Sequence, residues 1–247
     1  MRPPSVNFGD GPAVLLVAHG SRDPRAAAST RALAAAVAAA HPQWDVHASY
    51  LDHAGPRPLE VLATLSALGC RRAIMVPLLL TAAYHGRVDV PAVVADARDA
   101  GLAVDVSVAP VLGPVSAALV DALIRRLPPV SLDAVVLAAA GTNDAAARAT
   151  VEQAAAVLGD RLDRPCRVAY ASAAPPTGAE AVTALREAGA SRVGVASYFL
   201  APGRLYDAVV ASAQSAGAIA AAQPLGDAPE LVRLIASRVA AASPVAA

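Results

Sequence analysis

The stretch VLLVAHGSRD, Val14 to Asp23, decides how this chain is read. An unbroken apolar run of this kind is buried on both faces, the condition of a strand in a parallel sheet covered by helices. His19-Gly20-Ser21 then turns the chain toward a helix. The stretch returns as VVLAAAGTND at Val135–Asp144, 121 residues on. LGCRRAIMVPLLL at Leu68–Leu80 returns as AGASRVGVASYFL at Ala188–Leu200, 120 residues on, and Tyr50 and Glu60 meet Tyr170 and Glu180 at that offset. LVDALIRRL at Leu119–Leu127 matches LVRLIASRV at Leu231–Val239, 112 residues on. Three blocks in one order imply internal duplication.

Strands are expected at Ala13–Ala18, Val46–Leu51, Ala73–Leu79 and Val104–Val108, with helices at about 24–40, 58–69, 91–100 and 114–127 between them. The second set of strands falls at Val135–Ala139, Arg167–Ala171, Arg192–Tyr198 and Ile219–Ala222. The paired prolines of Pro128-Pro129-Val130-Ser131 mark the boundary. The expected fold is α/β: two tandem Rossmann-like lobes, each a parallel sheet flanked by helices, over residues 1–128 and 129–247.

Composition narrows the function. Of 247 residues, 56% are hydrophobic, enough for two cores. Twenty basic residues balance twenty acidic ones, so the basic surplus of a general nucleic-acid binder is missing. All twenty basic residues are Arg. With no Lys, Schiff-base chemistry, pyridoxal phosphate and a P-loop lysine are excluded. Cys70 and Cys166 lie in no CxxC pattern and read as reduced thiols. The N-terminus carries no signal-peptide pattern, and the apolar runs are too short to span a bilayer. A cytoplasmic protein, with neither membrane nor nucleic acid as partner, is expected.

The duplication allows a comparison within one chain. His19 ends the first strand and corresponds to Ala140; His85 follows the third strand and corresponds to about Leu205. Gly20 and Ser21 have counterparts in Gly141 and Thr142. Positions that hold a fold should resemble each other in both copies, whereas positions used for chemistry need occur once. Ligands of open parallel sheets bind beyond the carboxyl ends of the strands, where both histidines fall. Two imidazoles converging there suit a divalent first-row metal.

Asp52 ends the second strand in YLDHAGP, where it could take a proton, steer a cation or simply close a turn. Its neighbour His53 is ambiguous, because adjacent residues point opposite ways on a strand. His41 and His47 read as structural. Gly20-Ser21 opens a turn whose free N–H groups attract anions. Arg22, Arg25 and Arg87 lie near that rim in sequence and suit a polycarboxylate ligand, or are solvated surface arginines. GxGxxG, GxSxG and HExxH are all missing.

AHGSRDPRA at Ala18–Ala26, YLDHAGP at Tyr50–Pro56 and VPLLLTAAYHGRVDVP at Val76–Pro91 resemble the sirohydrochlorin chelatases, the cobalt- or iron-inserting class II chelatases of cobalamin and sirohaem synthesis. SYFLAPGRLYDAV at Ser197–Val209 resembles the second lobe of their long, two-lobed members. The resemblance implies two Rossmann-like lobes around a cleft, no organic cofactor, metal-binding His19 and His85, and a metal-free, eight-carboxylate tetrapyrrole as substrate. In that family resemblance the ion, Co²⁺, Fe²⁺ or Ni²⁺, is itself a substrate. Family members often carry Glu where this chain has Asp52, one methylene shorter. In this reading His19 and His85 hold the ion, Asp52 or a water beside it accepts protons, and Gly20, Ser21, Arg22, Arg25 and Arg87 receive the substrate's carboxylates. The alternatives are a non-catalytic metal or tetrapyrrole carrier and a phosphate- or sugar-binding α/β protein. A monomer is expected, since both lobes lie on one chain.

Overall fold

The structure, a computed structural model, describes residues 11–81 and 89–243. Strands β1 (Ala13–Ala18), β2 (Asp45–Tyr50), β3 (Arg72–Pro77) and β4 (Asp105–Val108) form a parallel sheet in the order β2-β1-β3-β4. Strands β5 (Ala134–Ala139), β6 (Cys166–Tyr170), β7 (Val193–Ser197) and β8 (Ala220–Ala221) form a second in the order β6-β5-β7-β8. The orders are the same, as duplication requires. In the first sheet the chain leaves β1 toward β2 on one side and returns to β3 on the other. That reversal leaves a crevice beyond the ends of β1 and β3. Val17 pairs with Pro77, so the two strands finish level and His19 emerges there.

Helices α1 (Pro24–Ala40), α2 (Pro58–Ala67) and α3 (Asp89–Asp99) accompany the first sheet. Leu15, Val17, Ala73 and Met75 on one sheet face pack with Val61, Leu62 and Leu65 of α2 and Val90 and Ala97 of α3. Val14, Leu16, Ile74 and Val76 on the opposite face are also fully buried. Burial on both faces is why β1 reads as a continuous apolar run rather than an alternating one. In the second sheet Val136, Ala138, Val193 and Val195 pack with Val182 and Leu185 of α6 (Gly178–Glu187) and Val209 of α7 (Arg204–Ser215).

The repeated carboxylates are helix caps. Asp23 accepts from the backbone N–H of Arg25 at the start of α1, and Asp144 from those of Ala146 and Ala147 at the start of α5 (Ala145–Leu162). Glu60 accepts from the N–H of Arg57 at 2.7 Å, and Glu180 from that of Thr177 at 2.7 Å. Each satisfies a donor that the first helical turn leaves without a partner.

The compact units do not follow residues 1–128 and 129–247. One comprises Met1–Leu112 with Val232–Ala247, the other Gly113–Leu231. Helix α4 (Ala117–Arg126), from the first sequence repeat, belongs to the second unit, and most of α8 (Pro229–Ala242) to the first. Arg125 pairs with the buried Glu230 at 2.8 Å, and Arg126 donates to the Leu225 carbonyl and the Asp227 carboxylate. On α8, Arg238 donates to the carbonyls of Val111 and Leu112. Prolines mark where regular structure stops; they carry no information about which core the flanking helix joins.

Candidate functional site

The turn after β1 is bonded to the turn after β2. The N–H of Leu51 donates to the Ala18 carbonyl at 2.9 Å and that of Asp52 to the His19 carbonyl at 2.8 Å. Gly20 has φ +96°, and a Cβ there would fall on the Asp52 carbonyl oxygen. Only glycine adopts such a backbone at little cost while letting a second strand end approach so closely. The Asp52 carbonyl accepts from Ala54, and His53 between them is left-handed at φ 58°.

The second unit repeats this framework. Ala171 donates to Ala139 and Ala174 to Ser172, Gly141 has φ +92° against the Ser172 carbonyl, and Ala173 is left-handed at φ 66°. Ser21 Oγ accepts from the N–H of Asp23 as Thr142 Oγ1 accepts from that of Asp144. The side chains mounted on the two frameworks differ. Where the first has His19, Arg22 and Arg25 the second has Ala140, Asn143 and Ala146. Where the first has Asp52, His53 and Arg57 the second has Ser172, Ala173 and Thr177. Gly20 and the Ser21 hydroxyl are thus scaffold in both copies, and the imidazoles, carboxylate and guanidinium are additions to one.

His19 Nδ1 lies 3.1 Å from the Gly20 carbonyl. A carbonyl only accepts, so in the neutral ring this bond puts the proton on Nδ1 and leaves Nε2 as the nitrogen able to ligate a metal. The rings of His19 and His53 have centroids 6.3 Å apart. Asp52 Oδ1 accepts from the backbone N–H of His53 at 2.8 Å and from Arg57 at 3.3 Å. That backbone bond is the main reason the Asp52 carboxyl titrates below its ordinary value of 3.8; desolvation opposes it, and the nearby imidazole and Arg57 act with it. Asp52 is therefore both a turn residue and a group held in its negative form beside His19 at neutral pH.

A pH test separates charge from proton transfer. The favourable effect of this carboxylate is present above its ordinary titration range and is lost only as pH falls through its depressed value. Asp52→Asn should weaken Co²⁺ binding by roughly tenfold, the low end for a group that tunes a metal ligand. The ratio to wild type should be the same at pH 7.5 and pH 8.5 by equilibrium titration, above the range in which imidazoles exchange protons with solvent. A ratio that changes between those values would mean that Asp52 exchanges a proton there.

Other candidates are placed as follows. Arg22 is exposed at the turn. Arg25 forks onto the Asp23 carboxylate at 2.6–3.1 Å, which holds Asp23 in its charged form. His85 and Arg87 lie outside the described residues. His41 stacks on Trp44 with centroids 4.1 Å apart, and His47 pairs with Asp45 at 2.8 Å. Among the described residues no three His, Cys, Asp or Glu side chains gather as a metal site, and no helix is long and apolar enough to cross a membrane. His53 and Arg57 are the candidates near His19 and Asp52 that the strand periodicity obscured. The repeat exposes them, since each has a chemically inert or smaller counterpart 120 residues on.

Two parallel four-stranded units of one topology, with imidazole and carboxylate groups at the strand ends of one of them, define an α/β protein of the two-lobed chelatase type. The family model described as CbiX matches residues 13–129 and again 134–242, and the chain belongs to the CbiX family. The two matches meet at the proline linker, so the sequence repeat divides there although the compact units exchange helices. A sirohydrochlorin cobaltochelatase of Methanococcoides burtonii is 31% identical over 78 residues, 32% of this chain. The chain spans about 60% of that relative's length. SirB from Bacillus subtilis with Fe³⁺ superposes with a TM-score of 0.78 at 22% identity, over 94% of this chain and 95% of that one. The sirohydrochlorin chelatase SirB from Bacillus subtilis subspecies spizizenii in complex with cobalt gives 0.76 at 21% identity, over 92% and 93%. At these identities the structural likeness concerns the fold.

Proposed function

We propose that this protein is a sirohydrochlorin chelatase that inserts Co²⁺ or Fe²⁺ into the metal-free tetrapyrrole. The observation that carries the reading is the duplicated framework on which His19 and Asp52 are mounted in one copy and Ala140 and Ser172 in the other. Family membership supports it, as does the SirB fold, which is seen with cobalt and with iron in the related structures.

His19 presents Nε2 to the incoming ion, and His85, on the chain segment after β3, supplies a second imidazole. Neutral imidazole binds cobalt and iron yet releases them to a stronger nitrogen donor set, which transfer to a macrocycle requires. Insertion must expel two pyrrole protons. Asp52 is a poor acceptor for them, because a useful base titrates near the working pH and Asp52 titrates well below it. Its role is to hold a negative charge where a cation arrives, and the protons leave through water. Arg22 and Arg87 pair with the peripheral carboxylates of the substrate. Arg25 does so by exchanging the Asp23 carboxylate for one from the substrate, since the same guanidinium fork fits both. Gly20 and Ser21 contribute by shaping the turn beneath.

The experiment is an anaerobic absorbance time course of sirohydrochlorin with Co²⁺ or Fe²⁺, with and without the protein. Insertion well above the protein-free rate is expected, and the relative rates rank Co²⁺, Fe²⁺ and Ni²⁺. Tight binding of metal or tetrapyrrole with no acceleration would replace this reading with a carrier.

A further inference from the structure

Residue 53 is exposed, left-handed and held beside the β1 turn by the bonds that Asp52 and Ala54 make. The backbone does not call for an imidazole, since Ala173 takes the same conformation at φ 66° in the second unit. The left-handed turn overrides strand alternation and brings the His53 ring to the His19 ring. With metal–nitrogen bonds of about 2.1 Å and a ring radius of about 1.1 Å, two imidazoles on one ion have centroids at most about 6.4 Å apart. The observed 6.3 Å lies within that limit, and His53, the exposed partner of the two, has room to turn toward half-buried His19. Asp52 Oδ2 lies 3.5 Å from His53 Nε2. The carboxylate thus puts a negative charge beside the imidazole, where it favours a bound cation.

We infer that His53 is a further metal ligand, which with His19 forms a two-imidazole capture site for a divalent first-row cation at the ends of β1 and β2. This rests on the chelatase reading for its use in turnover, but not for the binding itself. An added nitrogen donor strengthens the site for later first-row ions more than for earlier ones, so His53 favours Co²⁺ and Ni²⁺ over Fe²⁺.

The test uses the full chain with Co²⁺ alone, followed by its visible absorption and by the paramagnetically shifted N–H resonances of coordinated imidazoles. His53→Ala should lower Co²⁺ affinity by ~10–100-fold, by analogy with losses at metal-supporting residues. It should show one shifted resonance fewer than wild type, with an unchanged circular dichroism spectrum. His53→Gly suits the φ of 58° and must show the same loss; recovery of affinity there would assign the effect to the turn and overturn the inference. Wild-type Co²⁺ affinity in His53→Ala, beside a loss in His19→Ala, would also overturn it and leave the chelatase reading intact. If His53→Ala loses affinity but the wild-type protein never accelerates insertion, the capture site stands and the chelatase reading falls.

Discussion

His19→Ala should reduce metal insertion by at least about 100-fold, more than the 10–100-fold typical of residues that merely support a ligand. The protein should fold as before. The second unit already carries alanine at this place: Ala140 sits between β5 and Gly141, in a turn with the same glycine conformation and the same hydroxyl-to-backbone bond. His19 itself is on a turn, outside the buried run of β1. The loss should therefore appear in the insertion time course and in Co²⁺ affinity, with no change in the thermal transition. Near-normal turnover in His19→Ala would remove the mechanism outright. A lost thermal transition would instead make His19 a structural residue, contrary to the precedent of Ala140.

Gly20→Ala should damage the scaffold as well as the site. The new Cβ has no room against the Asp52 carbonyl, and φ +96° is strained for any side chain. Left-handed strain costs about 1–2 kcal/mol and forced overpacking about 1–3 kcal/mol. A total near 2–5 kcal/mol, at roughly 2–4 °C per kcal/mol for a chain of this size, lowers the melting temperature by about 4–20 °C. Moving the Asp52 carbonyl also displaces His53 and the carboxylate that faces it, so Co²⁺ affinity should fall with stability. Gly141→Ala is the matched control: its Cβ meets the Ser172 carbonyl in the same way. It should cost comparable stability in differential scanning calorimetry and spare Co²⁺ affinity at 25 °C. Equal loss of metal binding in both variants would mean that the effect is general unfolding.

Much of this architecture was legible in the residues. Strand positions agree to within a residue or two for most elements because burial on both faces writes an unbroken apolar run, which few other environments permit. The helix starts expected at 24 and 58 agree with the structure, where Asp23 and Glu60 cap by local hydrogen bonds that depend on nearby residues alone. The duplication picked out His19 by comparison with Ala140 and made Gly20 a scaffold residue before any geometry was known.

Long-range choices were another matter. Helices α4 and α8 carry similar sequences, LVDALIRRL and LVRLIASRV, and either could cover either core by pattern alone; in the structure α4 joins the second unit, where Arg125 meets Glu230, and most of α8 joins the first, where Arg238 meets the carbonyls of Val111 and Leu112. Arg25 looked like a free cation until the Asp23 carboxylate was placed 2.6 Å away. His53 was ambiguous because alternation along a strand presumes extended backbone, and nothing local announces that residue 53 departs from it. That departure is set by Asp52, whose N–H is bonded across to the His19 carbonyl and whose own carbonyl accepts from Ala54. Apolar periodicity and caps are short-range signals written in consecutive residues. The pairing of two imidazoles from separate turns depends on how strand ends meet, and that is settled only when the sheet assembles.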